Sequence, residues 1–166
     1  MLDTPDCVVS PGTYEAALHA VGAVLDAVVE VSDRRLENAF CAVRPPGHHA
    51  TRDKAMGFCL FNNVAITACA LRAEAGVERI LIFDWDVHHG NGTQNAFYDD
   101  PTVLFYSSHD WQAYPGTGDP ALEGSGEGSG LNINVHLECG SKDVDMLRAQ
   151  AHEFSNKLYT ISGLLQ

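Results

Sequence analysis

What most restricts the fold of this chain is an alternation. Short apolar runs that read as strands are separated by stretches with helical spacing. Leu18, Val21, Leu25, Val28 and Val29 recur at helical intervals within residues 13–31, which predicts a helix that Ser10 or Thr13 can cap. Ala39–Val43 is a short apolar strand candidate that ends in the turn-rich Arg44–His49. Asn62–Ala75 reads as a second helix, closed by Gly76 as a left-handed cap. Arg79–Phe83 predicts a buried strand, Thr93–Tyr98 a short helix, Thr102–Ser107 and Leu131–Val135 two further strands, and Val144–Tyr159 a last helix. Strands separated by helices imply an α/β fold with a parallel sheet covered by helices on both faces. The 166 residues suffice for one domain with a substantial core.

In parallel sheets, ligands bind beyond the carboxyl ends of the strands. Polar, chemically capable residues follow strand candidates three times here: His48-His49, Asp84–Asn91 and Ser107–Tyr114. That recurrence predicts one site at one edge of the sheet. Its densest part is Asp84-Trp-Asp-Val-His-His-Gly-Asn-Gly92. In extended backbone Asp84, Asp86 and His88 would point the same way, because side chains alternate with period two. Two carboxylates and an imidazole suit a divalent metal that accepts oxygen and nitrogen, with zinc the first candidate. The adjacent imidazoles of His48 and His49 complete a set suited to metal-assisted hydrolysis. A metal-dependent phosphoesterase also clusters Asp and His, but no basic or glycine-rich phosphate cradle accompanies them here. The run Gly124-Ser-Gly-Glu-Gly-Ser-Gly130 follows no strand, opens no helix and carries Glu127, which would repel phosphate; residues 115–130 read as a flexible loop.

With 22 acidic and 10 basic residues the formal charge is -12, which argues against nucleic acid as a direct partner. Five cysteines, odd in number and without a Cys-x-x-Cys pair, predict reduced thiols in a cytoplasmic protein. No apolar run is long enough to cross a bilayer, so no membrane partner is expected.

Four motifs then carry a resemblance. Arg44-Pro-Pro-Gly-His-His-Ala50, Gly57-Phe-Cys-Leu-Phe-Asn-Asn63, Asp84-Trp-Asp-Val-His-His-Gly-Asn-Gly-Thr93 and Tyr114-Pro-Gly-Thr-Gly118 resemble the zinc-dependent histone deacetylase family. They look most like its class II and bacterial members, with acetylpolyamine amidohydrolases among the relatives, over about residues 4–135. The resemblance implies the α/β arginase–deacetylase fold and hydrolysis of an N-acetyl amide on acetyl-lysine or an acetylated polyamine. It implies Asp86 and His88 as two zinc ligands and His49 as the general base and acid. It further implies His48 as the imidazole that steadies the oxyanion, Asp84 as the carboxylate that orients His48, and Asn91 as the polar support of His49. Gly57, Phe58 and Tyr114 resemble the walls of a narrow acyl-lysine channel. Main-chain oxygens around Asp84, Asp86 and His88, together with Ser107, resemble a structural potassium site.

The family's third zinc ligand, a later aspartate, and its transition-state tyrosine have no counterpart in this sequence. After Asn132-Ile-Asn-Val135 the chain departs from the family pattern, and residues 136–166 read as a divergent helix and tail. The expectation is a single partial deacetylase domain, shortened at both ends, that binds zinc weakly or not at all and is nearly inactive by itself. The alternative is a non-catalytic remnant acting as a binding or assembly module. A raw sheet edge predicts self-association into a homo-oligomer.

Overall fold

Thr13–Ser32 forms the first helix, α1, and Asn63–Ala75 the second, α2. The strands are β1 (Ile80–Asp84), β2 (Val103–Asp110) and β3 (Asn132–Leu137), with a short helix α3 (Asn91–Phe97) between the first two. This computed structural model describes residues 6–141, so the helix expected at Val144–Tyr159 lies outside the described residues. The chain divides into two units, one of Met1–Ile80 with Asn91–Ala96 and one of Leu81–Gly90 with Phe97–Gln166.

In the first unit α1 and α2 pack together, and both bury small side chains: Ala17 and Ala20 on one, Ala65 and Ala68 on the other. The ends of α2 are set by the two residues the sequence marks. Asn62 Oδ1 accepts the Ala65 amide at 3.0 Å, and Gly76 takes the left-handed conformation with φ 65°. At α1 the expected cap is corrected. Gly12 occupies the N-cap position, where no side chain caps the helix, while the Thr13 hydroxyl accepts the Ser10 amide at 2.8 Å. That hydroxyl closes the preceding turn, so it does not serve the helix. Ala39–Val43 is also corrected: it forms no strand, because no ladder of hydrogen bonds joins it to another segment among the described residues.

In the second unit the sheet order is β1-β2-β3. β2 and β3 run parallel in a register that pairs Phe105 with Asn132, Ser107 with Asn134 and His109 with His136. Residues 105–109 of β2 and 132–135 of β3 are buried without alternation, as expected of strands covered on both faces. Tyr106, Ile133 and Val135 form the apolar cluster, with Leu104 packed against it. The ring of Phe83 on β1 lies parallel to that of Tyr106, centroids 4.6 Å apart.

The glycine-rich segment is a packed turn. The Ser125 amide donates to the Tyr98 carbonyl and the Gly130 amide to the Glu123 carbonyl. A Cβ on Gly128 would lie 2.7 Å from the Asp99 carbonyl carbon, so glycine there permits close backbone approach. Among the described residues no helix is long and apolar enough to cross a membrane.

Candidate active site

His48 and His49 sit in a turn whose neighbours admit little but glycine. A Cβ at Gly47 would lie 2.8 Å from the Phe61 carbonyl oxygen, and one at Gly92 2.7 Å from the carbonyl carbon of His49. Close approach lets the first amides of α3 cap the turn: Gly92 and Thr93 donate to the His48 carbonyl at 2.9 and 3.2 Å. The same approach delivers Asn91. Its Oδ1 lies 2.8 Å from His49 Nδ1, and its Nδ2 donates to the His49 carbonyl at 3.4 Å. An amide oxygen facing Nδ1 fixes that nitrogen as the donor, which leaves Nε2 as the basic nitrogen of neutral imidazole. His49 is 4% exposed, whereas His48 is half-buried with its ring centroid 4.0 Å from that of His49.

In the same unit Gly57 and Phe58 occupy the two central positions of a tight turn, with φ 57° and 63°. Met56 and Cys59 close it by donating to each other's carbonyls at 3.2 and 2.9 Å. Positive φ at both positions defines a turn that favours Asn-Gly pairs and burdens phenylalanine. The burden has a product: Phe58 stands at the tip and is 64% exposed. Asp6 Oδ2 accepts the Gly57 amide at 2.8 Å and holds the turn from behind.

In the second unit β1 ends at Asp84, and the extended continuation expected through His88 does not occur. Two successive carboxylate turns replace it. Asp84 Oδ1 accepts the Asp86 amide at 3.1 Å, and Asp86 Oδ1 accepts the His88 amide at 2.8 Å. Short carboxylates that bond two residues ahead outcompete strand geometry where no ladder continues. They still bring two ligand types together, since His88 Nδ1 lies 2.9 Å from Asp86 Oδ1, with both side chains about half exposed. Nitrogen and oxygen donors on one tetrahedral zinc stand about 3.3 Å apart, so a small opening admits the metal in place of the shared proton. The pair fits as two ligands. Among the described residues no group of three His, Cys, Asp or Glu side chains is arranged to hold a metal.

Tyr114 presents its ring to His88, centroids 6.3 Å apart at 75°. Ser107 is fully buried in β2, with its hydroxyl 3.0 Å from His109 Nδ1. His109 Nε2 donates to the Gly118 carbonyl at 3.2 Å, so Nδ1 accepts from Ser107 in the neutral ring. Burial pushes the His109 pKa below its ordinary value, and the adjacent His136 adds to this, while the Gly118 carbonyl and Asp84 oppose it.

The sequence did not single out Asp6, His89, His109 or His136 for a role, and it marked Asn62 only as the start of a helix. His89, 1% exposed with Nδ1 2.8 Å from the Thr117 hydroxyl, is buried machinery of the Tyr114–Gly118 loop. A readable signal existed for His136: Asn132, Asn134 and His136 put a polar residue at every second position of an apolar strand.

One unit thus holds a buried imidazole oriented by an amide, and the other holds successive carboxylate turns at a strand end, on an α/β scaffold. The model of the histone deacetylase domain family matches residues 1–160, and the chain belongs to that family. Histone deacetylase 5 of Arabidopsis thaliana is 50% identical over 152 residues, covering 85% of this chain and 23% of that protein. Histone deacetylase 9 of Homo sapiens is 52% identical over 141 residues, covering 81% of this chain and 14% of that protein. Among solved structures, the crystal structure of the HDA15 HD domain matches with a TM-score of 0.79 at 44% identity, covering 82% of this chain and 40% of that chain. The architecture is therefore of the α/β arginase–deacetylase type. The chain spans less than a quarter of the length of these two relatives.

Proposed function

We propose that the chain carries zinc-dependent amidohydrolase chemistry of the deacetylase type, acting on acetyl-lysine or an acetylated amine. Water and the N-acetyl amide give acetate and the free amine. Asp86 and His88 would hold the zinc, which polarises an amide carbonyl and makes water more acidic. His49 takes a proton from the attacking water at Nε2 and passes it to the departing nitrogen, while Asn91 keeps Nδ1 protonated and the ring in place. His48 offers its N–H to the oxygen that gains charge. Phe58 and Tyr114 would each offer an aromatic surface to the apolar stem of the substrate, and Gly57 lets the Phe58 turn form. Asp84 orients the site through the first carboxylate turn. Ser107 keeps acceptor lone pairs on an oxygen that donates to His109, which suits the oxygen shell of a structural potassium.

The observation that carries this reading is the His49–Asn91 contact at 2.8 Å, which prepares one nitrogen of a buried imidazole as a base. Asp86 and His88 are two ligands among the described residues, where a catalytic zinc ordinarily takes three, so on this reading affinity would be weak and turnover would follow zinc concentration. The test is release of free amine from an acetyl-lysine peptide across a zinc titration. Release that rises with zinc supports the proposal. No release at saturating zinc, with the peptide still bound, transfers support to the alternative of a non-catalytic binding module. That alternative draws on the lack of a three-residue metal group among the described residues.

A further inference from the structure

β3 presents a side-chain donor at every second residue to one loop. Asn132 Nδ2 donates to the Leu122 carbonyl, Asn134 Nδ2 to the Asp119 carbonyl at 3.2 Å, and His136 Nε2 to the Gly118 carbonyl at 2.9 Å. His136 makes the last of the three contacts, and its acceptor Gly118 is the closest of the three acceptors in sequence to Tyr114. It also meets its register partner His109, which donates to the same carbonyl at 3.2 Å. Trp111 stacks on the outer face of His136 at 5.4 Å and 16°, which restricts the imidazole to this orientation. The far end of the loop is tied as well, since the Asp110 amide donates to the Val87 carbonyl at 2.9 Å. Between these ties lie Tyr114 and Gly116, whose φ of 74° allows the backbone to turn back.

We propose that His136 is a positioning residue for substrate recognition: through the Gly118 carbonyl it holds the 111–118 loop so that Tyr114 faces His88. The inference rests on the reading of Tyr114 as a wall of the acyl-lysine channel. His136 touches neither substrate nor metal. Its loss therefore weakens substrate binding and leaves the chemical step in place.

The test uses the 166-residue chain labelled with 3-fluorotyrosine, the Tyr114 line being assigned by its loss in Y114F. H136M removes the donor and fills the space, whereas H136Q keeps a donor at comparable reach. H136M shifts or broadens the Tyr114 fluorine line, and H136Q keeps it at the wild-type position. If H136M does not fold, as judged from the buried Tyr106 line, H136E replaces it, since it matches Gln in shape but turns oxygen toward the carbonyl. With an acetyl-lysine peptide, H136M raises KM about fivefold, the size of one net hydrogen bond, and keeps kcat within about twofold; H136Q restores KM. An unmoved Tyr114 line in the donor-free variant, or a fall in kcat at constant KM, overturns the proposal. A wild-type chain that turns over no acetyl-lysine peptide sinks the deacetylase reading instead, and the fluorine spectra alone then decide whether His136 positions Tyr114.

Discussion

Replacing Asn62 with alanine removes three hydrogen bonds, one that caps α2 and two that join its start to the residue after His49 and to α3. Asn62 Oδ1 caps α2 by accepting the Ala65 amide at 3.0 Å, and Nδ2 donates to the Ala50 carbonyl at 3.3 Å and the Thr93 hydroxyl at 3.1 Å. Loss of the cap costs about 1 kcal/mol. Each buried acceptor left behind costs about 1 kcal/mol more, the longer bond to Ala50 contributing the smaller share. N62A should therefore destabilise the chain by about 3 kcal/mol, and N62D, which keeps the cap oxygen but loses both donors, by about 2 kcal/mol. Urea unfolding with a slope near 2 kcal/mol per molar would register these as midpoint shifts of about 1.5 M and 1 M. Because Ala50 follows His49 and Thr93 lies in the first turn of α3 with Asn91, N62A should also loosen the His49–Asn91 contact. A cost below about 1 kcal/mol for N62A, or equal costs for the two variants, would refute this division of the energy.

Gly118 has φ 95°, and a Cβ there would lie 2.6 Å from His109 Cε1 and 2.7 Å from His89 Cγ, so G118A should cost about 3 kcal/mol or fail to fold, as read from thermal unfolding and soluble yield. Burial depresses the His109 pKa, so the unfolded chain takes up a proton near its ordinary 6.5 that the folded chain refuses. Stability rises with pH where the unfolded state binds more protons. It should therefore drop as pH falls below about 6.5, and H109Q, which keeps a donor toward Gly118, should show a shallower drop; parallel pH profiles would contradict this. F58N suits the left-handed turn position better and should stabilise the chain by up to about 1 kcal/mol, while peptide affinity falls; equal affinity would remove Phe58 from substrate contact.

Much of the fold was legible because its signals are local. The bounds of α2 were readable at Asn62 and at Gly76, the left-handed cap, and the apolar runs mark β1, β2 and β3 as strands, although β1 buries only Ile82 while Leu81 and Phe83 stay exposed. Ala39–Val43 misled because its composition is strand-like, and strand formation needs a partner ladder that composition does not reveal. The residues Asp86 and His88 were legible, but their geometry was not. Period-two reasoning assumes extended backbone, whereas carboxylate turns bring the two side chains together by another route. His136 was not singled out because its partner is a main-chain carbonyl in a loop whose path no pattern encodes.

The most direct measurement is the rate of acetate release by H49A relative to the unmodified chain, from an acetyl-lysine peptide at matched zinc occupancy. With His49 as general base, release should fall by about a hundredfold to ten-thousandfold while zinc uptake, assigned to Asp86 and His88, stays unchanged. An H49A chain that releases acetate at the original rate would contradict the account at its centre.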